Sequence, residues 1–278
     1  ASGFIGTHLV KKLQELGVSV FKPSQVDVDI SNKSAVQQIV KSIKPEVIFN
    51  LAAYGTFRNE RDLERMMGVN VLGTLNLLEA ATENDCCSFV QAGSIKEFSP
   101  TRLSITEEFS HLPWDEYAVS KSAATDFCRL VRTRSHLTTS VLRLSPVYGP
   151  DDSPVRFVPV AIRAAISGSP FTITVGSQLR NFIYIDDVIE AFLSASIRSV
   201  EKYDDFNIGS SQAYSFEDIL LSIEKATGKK IIRIEDTNIE VNDDSWVVDI
   251  TKAQNFLSLS IPVSLEEGIR RTVEWYSK

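Results

Sequence analysis

Helical and strand-like stretches alternate through the first 150 residues of this 278-residue chain. Residues 7–17 (THLVKKLQELG) place leucines on or near one helical face and end at a glycine, whereas residues 18–21 (VSVF) are typical of a short strand. Residues 45–55 (PEVIFNLAAYG) form a continuous apolar run, which predicts a strand buried on both faces. Strands that alternate with helices pair in parallel, so we expect an α/β fold with a doubly wound, Rossmann-type parallel sheet.

The regular alternation ends near Pro150, and the pattern is mixed afterwards. We therefore divide the chain into a first domain, residues 1–150, and a smaller α+β part, residues 151–278. Residues at about 183–205 are expected to return to the first domain. A parallel sheet binds its ligand at the carboxyl ends of its strands, so functional side chains are expected directly after strands.

Composition excludes several kinds of partner. The net charge of −7 argues against nucleic acid, and three scattered histidines argue against a metal site. Three cysteines, two of them adjacent, form neither a disulfide framework nor a zinc spacing. No apolar run approaches the roughly 20 residues of a membrane span. We therefore expect a cytoplasmic protein that binds neither nucleic acid nor membranes.

Two glycines, Gly3 and Gly6, open the first helix-like segment. Bare backbone amides at a helix N-terminus suit a pyrophosphate, so the pair predicts a dinucleotide site, although helix packing or capping also explains such a pair. A first strand and a first glycine normally precede this turn. We expect them upstream of Ala1, as roughly ten further residues, the usual length of a strand and turn.

Tyr117 and Lys121 are the strongest candidate catalytic residues. Four residues apart on one predicted helix, they share a face, and an ammonium near a phenol favours the phenolate. Tyr117 is therefore expected to exchange a proton near neutral pH, although a Tyr and a Lys at this spacing also arise by chance. Ser94 ends the preceding strand, from which its hydroxyl can reach the same substrate oxygen. The order glycine pair, strand-end serine and Tyr-x-x-x-Lys indicates catalysis.

Together these motifs resemble the extended short-chain dehydrogenase/reductases, the family of NAD-dependent nucleotide-sugar epimerases, dehydratases and reductases. ASGFIG (1–6) is similar to the family's T-G-A-S-G-F-I-G, and YAVSK (117–121) to its catalytic motif. Further segments that resemble the family are VDVDISN (26–32), FNLAAYG (49–55), VNVLGTLNLLEAA (69–81), VLRLSPVYGP (141–150), RNFIYIDD (180–187) and SLEEGIRRTVEWY (264–276). The similarity thus spans nearly the whole chain.

The resemblance implies hydride transfer between a bound nicotinamide and a sugar carbon, with residues 1–150 holding the dinucleotide and residues 151–278 mainly the substrate. Tyr117 would pass the hydroxyl proton, Ser94 would hydrogen-bond the same oxygen, and Lys121 would hold the nicotinamide ribose. The substrate would be a nucleotide-diphosphate sugar, and the residues expected to bind it are Ser94, Tyr117, Arg180 (at the phosphates), Phe157 and Tyr54. The residues expected to bind the cofactor are Gly3, Phe4, Ile5, Gly6, Asp29, Ile30, Leu51, Ala52, Ala53, Asn70 (which also helps to order the site), Lys121, Pro146 and Val147.

Departures from the family pattern narrow the reaction. The 4,6-dehydratases carry an Asp-Glu pair directly after the catalytic Ser or Thr, where this chain has Ile95 and Lys96, so the resemblance argues against a dehydratase. Ile95 also stands where fucose-synthase-type enzymes have a Cys. Pro146 occupies a position at which many members have an Asn that touches the sugar or its diphosphate, which puts that contact in question.

NAD and NADP both stay open as the cofactor. NAD-specific members end the second strand with an Asp, whereas FKPSQVDVDIS (21–31) resembles the compact connection of dTDP-4-dehydrorhamnose reductases and has Ser24 near that position. Without a carboxylate there to repel a 2′-phosphate, and with Lys22 nearby, the connection favours NADP. Lys22 is equally well explained as a solvated side chain.

Three functions follow from these observations. Reduction of a 4-keto-6-deoxyhexose is favoured, because the compact connection and AAYGTFRNE (52–60) resemble reductases, the latter the CDP-paratose and CDP-abequose synthases, with Arg58 and Asn59 near the substrate. A nucleotide-sugar 4-epimerase is the alternative. A non-catalytic dinucleotide-binding regulator is an alternative of another class, although such proteins usually lose the Tyr or Lys. A homodimer built through two long helices, one of which bears Tyr117, is a further expectation from the family.

Overall fold

The computed structural model describes residues 2–24, 26–57, 59–173, 178–197, 204–235 and 245–278. The strands within these ranges are β1 (Val47–Asn50), β2 (Ser88–Ser94), β3 (Thr138–Leu144), β4 (Val147–Tyr148), β5 (Phe171–Ile173), β6 (Ile183–Tyr184), β7 (Asp205–Ile208) and β8 (Arg233–Glu235). The helices are α1 (Phe4–Glu15), α2 (Lys33–Ile43), α3 (Leu63–Met67), α4 (Gly73–Glu83), α5 (Glu116–Arg134), α6 (Phe157–Ser167), α7 (Ile185–Ile197), α8 (Phe216–Thr227), α9 (Thr251–Leu257) and α10 (Leu265–Tyr276). A π-helical turn, Gly68–Leu72, joins α3 to α4, and a 3₁₀ turn, Ile95–Glu97, follows β2.

Four parallel strands form the main sheet, in the order β1-β2-β3-β7. β2 and β3 run side by side over their full length, from Ser88 opposite Thr138 to Ser94 opposite Leu144. β1 and β7 extend the sheet in parallel on its two sides. All four carboxyl ends therefore lie at one edge, which is where parallel sheets bind ligands.

Successive residues of the central strands alternate between the two faces of the sheet. Phe89 of β2 and Val141 of β3 belong to a hydrophobic cluster with residues of α4 and α5, whereas their neighbours Val90 and Leu142 belong to the largest core. All four side chains are fully buried. Because side chains alternate along a strand, an unbroken apolar run covers both faces, and the predicted α/β fold with a Rossmann-type parallel sheet is confirmed.

Helices cover both faces of this sheet. α5 packs on β2 and β3 beside α4, α7 packs on the opposite face, and α1 packs against α7. The 19-residue α5 begins at a cap in which the Asp115 carboxylate accepts a hydrogen bond from Ala118 N, and two arginines in its last turn suit the negative end of the helix dipole. The first turns of α5 thus hold Tyr117 and Lys121 over the sheet. Of the helices described, none is long and apolar enough to cross a membrane.

Two short parallel sheets lie outside the main one, β4 with β6 and β5 with β8. α6, α8 and α10 pack together beside them. α7 and β7 lie with the main sheet, where the returning segment 183–205 was expected, although residues 198–203 of that segment are outside the described residues. The division into two domains stays a prediction.

Residues 18–21 do not form the strand that their sequence predicts. An extended segment becomes a strand only through hydrogen bonds with a neighbour, and the described part of the chain places no strand beside this one. β1 also differs from the prediction made from its sequence. Val47, Ile48 and Phe49 are half-buried rather than buried on both faces, because β1 is the edge strand of the described sheet.

Leu78 tests the contribution of α4 to stability. Its side chain is fully buried in a cluster with Phe89, Cys128 and Val141, so Leu78→Ala should lower the free energy of unfolding by about 2–5 kcal/mol. Leu16→Ala is the same chemical change at a side chain that is 58% exposed, and it should change that free energy by less than about 0.5 kcal/mol. Urea unfolding of both variants measures the difference. Equal losses would contradict the placement of α4.

Candidate active site

Ser94 lies at the carboxyl end of β2, where the strand passes into the 3₁₀ turn. Its Oγ accepts a hydrogen bond from Lys96 N at 3.2 Å. The Ser94 side chain also lies close enough to the phenol of Tyr117, in the first turn of α5, to lower the pKa of that phenol. The structure therefore brings together the serine and the tyrosine that the sequence predicts as catalytic partners.

The phenol of Tyr117 is held in its protonated form in this structure. Burial and the charge of Glu97 raise the pKa of Tyr117 to about 12, against the lowering effects of Arg156 and Ser94. The expectation that Lys121 brings this pKa toward neutrality is wrong for this structure, because burial outweighs the charges that favour the phenolate.

Lys121 is 2% exposed and lies one helical turn beyond Tyr117. Its Nζ donates a hydrogen bond to Ala92 O at 2.5 Å. Burial lowers the pKa of Lys121, and the charge of Glu97 opposes that effect. An ammonium carries three donors, and Ala92 O is the one acceptor found for it among the described residues. A buried cation with donors to spare favours a ligand that offers hydroxyl or anionic oxygens.

Asn70 lies in the π-helical turn between α3 and α4, a distortion that is common at functional sites. Its side chain accepts from Tyr54 N and donates to Tyr54 O, both at 2.8 Å. It also donates to Ser120 Oγ at 2.8 Å. One amide therefore ties the loop after β1 to the helix turn between Tyr117 and Lys121. A contact between Asn70 and the cofactor stays a prediction.

The loop after β1 packs directly against Tyr117. Gly55 has a φ of +97°, and a Cβ there would lie 2.6 Å from Met66 Cε and 3.2 Å from Tyr117 Cδ2. Only glycine fits this backbone and this spacing. Tyr54, predicted to bind substrate, is half-buried with the Arg65 guanidinium 4.8 Å from its ring centroid.

Other residues predicted to hold the cofactor also follow strands of the main sheet. Leu51, Ala52 and Ala53 come directly after β1, and Pro146 and Val147 come shortly after β3. Leu51, Ala52 and Pro146 are half-buried, Val147 is buried and Ala53 is exposed. Their contacts with a cofactor stay predictions.

The start of α1 suits a pyrophosphate. Gly3 is the residue that precedes the helix, Phe4 and Ile5 form its first turn, and Gly6 is buried. No side chain caps this end and no acidic residue lies in the first turn. The first amides of the helix therefore keep their capacity to bind an anion, which the helix dipole attracts.

Ser24 is bonded to a carboxylate, which removes the reason for favouring NADP. Ser24 N and Oγ both donate to Asp27 Oδ2, at 2.8 and 2.7 Å. These hydrogen bonds lower the pKa of Asp27 and keep it charged. A negative charge beside Ser24 repels a 2′-phosphate instead of accommodating it.

Asp29 and Ile30, predicted at the adenine, lie in the turn before α2. Asp29 Oδ1 accepts from Ser31 N at 2.9 Å and from Ser31 Oγ at 2.8 Å. Ile30 packs so closely on α4 that a Cβ on Gly73 would lie 2.6 Å from Ile30 Cδ1. Asn76 Nδ2 donates to Ile30 O at 2.9 Å. Both residues are thus held in place by α2 and α4, and their contact with adenine stays a prediction.

Arg180, predicted at the substrate phosphates, lies with its guanidinium 4.4 Å from the centroid of the Trp246 ring. Its Nη1 donates to Leu179 O at 2.8 Å, and burial lowers the pKa of Arg180 to about 10. No carboxylate among the described residues forms an ion pair with it. A half-buried cation in this state favours an anionic ligand.

Phe157, also predicted to bind substrate, packs within an aromatic cluster. Its ring centroid lies 5.5 Å from that of Phe171, 6.4 Å from that of Phe182 and 4.8 Å from that of Phe216. This cluster accounts for its half-buried position, and contact with a nucleotide stays a prediction. Arg58 lies outside the described residues.

Two charged residues that were not among the predicted site residues reach the site. Arg156 lies 5.5 Å from the centroid of the Phe57 ring and 3.6 Å from Asp152, and its charge lowers the pKa of Tyr117. Glu97 is fully buried and paired with Arg143 at 2.8 Å. An arginine inside the apolar strand VLRL is the signal that could have found Glu97, because a buried guanidinium requires a carboxylate partner.

The model of the NAD dependent epimerase/dehydratase family matches residues 1–209. The match includes Gly3, Gly6, Ser94, Tyr117 and Lys121, and it confirms the resemblance to the extended short-chain dehydrogenase/reductases.

Individual relatives include epimerases and dehydratases. A provisionally named UDP-glucose 4-epimerase of Methanocaldococcus jannaschii is 29% identical over 297 residues, which cover 99% of this chain and 95% of that protein. The dTDP-D-glucose 4,6-dehydratase of Mus musculus is 32% identical over 234 residues, which cover 76% of this chain and 61% of that protein.

Among solved structures, MoeE5 in complex with UDP-glucuronic acid and NAD has a TM-score of 0.88 and 25% identity, covering 99% of this chain and 96% of that one. Its complex with UDP-glucose and NAD has a TM-score of 0.87 and 26% identity, covering 100% and 96%.

Asn70→Ala removes the amide that joins the Tyr54 backbone to α5. Leaving a buried backbone group without its partner costs about 1–3 kcal/mol, so solvent exchange of the Tyr54 amide hydrogen should become about tenfold faster or more. Asn84→Ala removes a side-chain hydrogen bond to Ala80 O at the end of α4 and should leave this exchange unchanged. Hydrogen exchange followed by mass spectrometry compares them. Unaltered protection of Tyr54 in Asn70→Ala would mean that other contacts hold the loop.

Proposed function

Because the chain belongs to the NAD dependent epimerase/dehydratase family, we propose that it is a UDP-sugar 4-epimerase that works with a retained NAD. The observation that carries the proposal is the proximity of the Ser94 side chain to the phenol of Tyr117, one helical turn from the buried ammonium of Lys121. The UDP-glucose 4-epimerase of Methanocaldococcus jannaschii among the relatives supports epimerisation over the keto-sugar reduction that the sequence favoured.

The residues present fit NAD. The uncapped start of α1 offers backbone amides to a pyrophosphate. Lys121 has donors for ribose hydroxyls, and the Asp27 carboxylate beside Ser24 opposes a 2′-phosphate. NAD therefore replaces NADP as the proposed cofactor, in keeping with the NAD bound in MoeE5.

Proton transfer is the part of the reaction that the chain's own residues perform. When bound, NAD would supply hydride exchange at C4 of the sugar. Tyr117 acts in its phenolate form: Oη takes the proton of the C4 hydroxyl and later returns it, while Ser94 Oγ holds the same oxygen. Since the pKa of Tyr117 is raised to about 12, formation of the phenolate depends on nearby positive charge, which Arg156 supplies.

The residues after Ser94 support epimerisation over dehydration. Ile95 is buried in a cluster with Phe98 and Trp246. Lys96 Nζ is paired with Asp115 Oδ2 at 3.3 Å. Neither position offers the acid and base that the resemblance associates with water elimination.

The cation of Arg180 supports a nucleotide diphosphate as the substrate's carrier group. Its guanidinium is stacked on Trp246 and forms no ion pair with a described residue. A diphosphate would supply the missing negative charge. We take uridine as the base and glucose or glucuronic acid as the sugar because MoeE5 binds these compounds.

The test is incubation of the purified protein with UDP-glucose and with UDP-glucuronic acid without added cofactor. The proposal expects C4 epimers to form, and NAD to be released when the protein is denatured. Tyr117→Phe should slow turnover by about 10²–10⁴-fold, the usual contribution of general acid–base catalysis. Tyr276→Phe, which removes a hydroxyl bonded to Asp152 O, is the matched control and should keep the original rate.

Two results would contradict the proposal. One is consumption of added NADH or NADPH with a 4-keto-6-deoxy sugar, without epimerisation, which would make the protein a reductase. The other is undiminished turnover in Tyr117→Phe, which would remove Tyr117 from the chemistry.

A further inference from the structure

We propose that Glu97 is a positioning residue for this site: its buried carboxylate joins the strand that carries Ser94 to the helix that carries Tyr117 and Lys121, and its negative charge acts on the phenol of Tyr117. The catalytic meaning of this role rests on the proposed function. The contacts that define it do not.

The two oxygens of the Glu97 carboxylate bind different elements. Oε1 accepts from Ser94 N at 2.8 Å, at the end of β2. Oε2 accepts from Thr125 Oγ1 at 2.9 Å, on α5 one helical turn beyond Lys121, and from Arg143 Nε at 2.8 Å, on β3. Glu97 is 0% exposed, so these bonds are made without competition from water. One side chain therefore sets the distance between the serine and the catalytic helix.

The same carboxylate fixes the orientation of Ser94. Ser94 Oγ accepts from Lys96 N while Glu97 Oε1 accepts from Ser94 N, which is the reciprocal arrangement of a capping box. With its oxygen held in this way, the serine hydroxyl is left to act on Tyr117. Gly93 leaves the necessary space, because a Cβ there would lie 2.9 Å from Glu97 Oε1.

Charge links Glu97 to the protonation of Tyr117. The charged groups that act on the phenol are Glu97 from the 3₁₀ turn, Arg156 from the start of α6, Asp115 from the cap of α5, and Lys96, whose Nζ is 5.8 Å from the ring centroid. Of the two carboxylates, Glu97 has the larger effect, and it raises the pKa of Tyr117. Glu97 also opposes the burial that lowers the pKa of Lys121.

Arg143 binds a second carboxylate besides Glu97. Its Nη2 donates to Asp205 Oδ2 at 3.0 Å in addition to the bond from its Nε to Glu97. His111 Nε2, 3.9 Å from Glu97 Oε2, is the remaining titratable group that faces the pair. Burial and the charge of Arg143 lower the pKa of His111 and so favour its neutral form.

The experiment measures the ionisation of Tyr117 in the protein without substrate. Absorbance at 295 nm is followed from pH 8 to pH 13, and the signal of the matching Tyr117→Phe protein is subtracted. Glu97→Gln should lower the midpoint of Tyr117 ionisation by about one pH unit or more, because it removes a nearby like charge. Glu224→Gln removes another buried carboxylate, bound by Lys230 and Arg233, and should not move it.

Thr125→Val tests the positioning role of Glu97 separately from the effect of its charge. It removes the hydrogen bond to α5 and keeps the carboxylate, so the midpoint should stay in place while kcat falls by about tenfold and KM is unchanged. If the proposed function is wrong, turnover is missing in every variant and the titration still decides the role of the charge.

An unshifted midpoint in Glu97→Gln would overturn the proposal. If that variant does not fold, the double variant E97Q/R143Q, which leaves neither member of the pair as a lone buried charge, carries the same titration. Failure of both to fold would also overturn it, since Glu97 would then serve the fold rather than the site.

Discussion

The ion pair between Glu97 and Arg143 is the interaction on which the arrangement of the site depends. Both side chains are fully buried, so each has lost its hydration, and hydrogen bonds within the protein must offset that loss. Glu97 accepts hydrogen bonds from Ser94 N and Thr125 Oγ1. Arg143 is also hydrogen-bonded to Asp205 and His111. The pair therefore joins three strands and the catalytic helix at the carboxyl edge of the sheet.

Asp205 anchors the far side of this network. Burial alone would raise the pKa of Asp205, but the charges of Arg143, Arg129 and Arg132 lower it to about 2. A carboxyl group with a lowered pKa stabilises the fold at any pH above its ordinary value of roughly 3.9, and that stabilisation is lost as the pH falls toward 2. The network is thus intact at neutral pH, where the site would work.

The sequence was sufficient to predict the fold class. It was also sufficient to predict that Ser94, Tyr117 and Lys121 lie together. Alternating apolar runs predicted the parallel sheet, and the spacing of Tyr117 and Lys121 placed both on one helix face. The prediction of a strand at residues 18–21 was wrong because a strand forms only by pairing with a neighbouring strand, which the local sequence does not report. The cofactor preference inferred from Ser24 was wrong because a turn places the Asp27 carboxylate within hydrogen-bonding distance of Ser24. The pKa of Tyr117 was predicted wrongly because it is raised by burial and by the charge of Glu97, and neither effect can be read from the local sequence.

A hydride that leaves and returns to the same sugar carbon distinguishes a 4-epimerase with a retained cofactor from every alternative considered above. UDP-glucose carrying deuterium at C4 can be incubated with the protein in the presence of excess unlabelled NADH. Retention of deuterium at C4 of the epimeric product is the expected result, because Tyr117 exchanges only the hydroxyl proton and the hydride never leaves the site. Loss of the deuterium to the added cofactor or to water would contradict it.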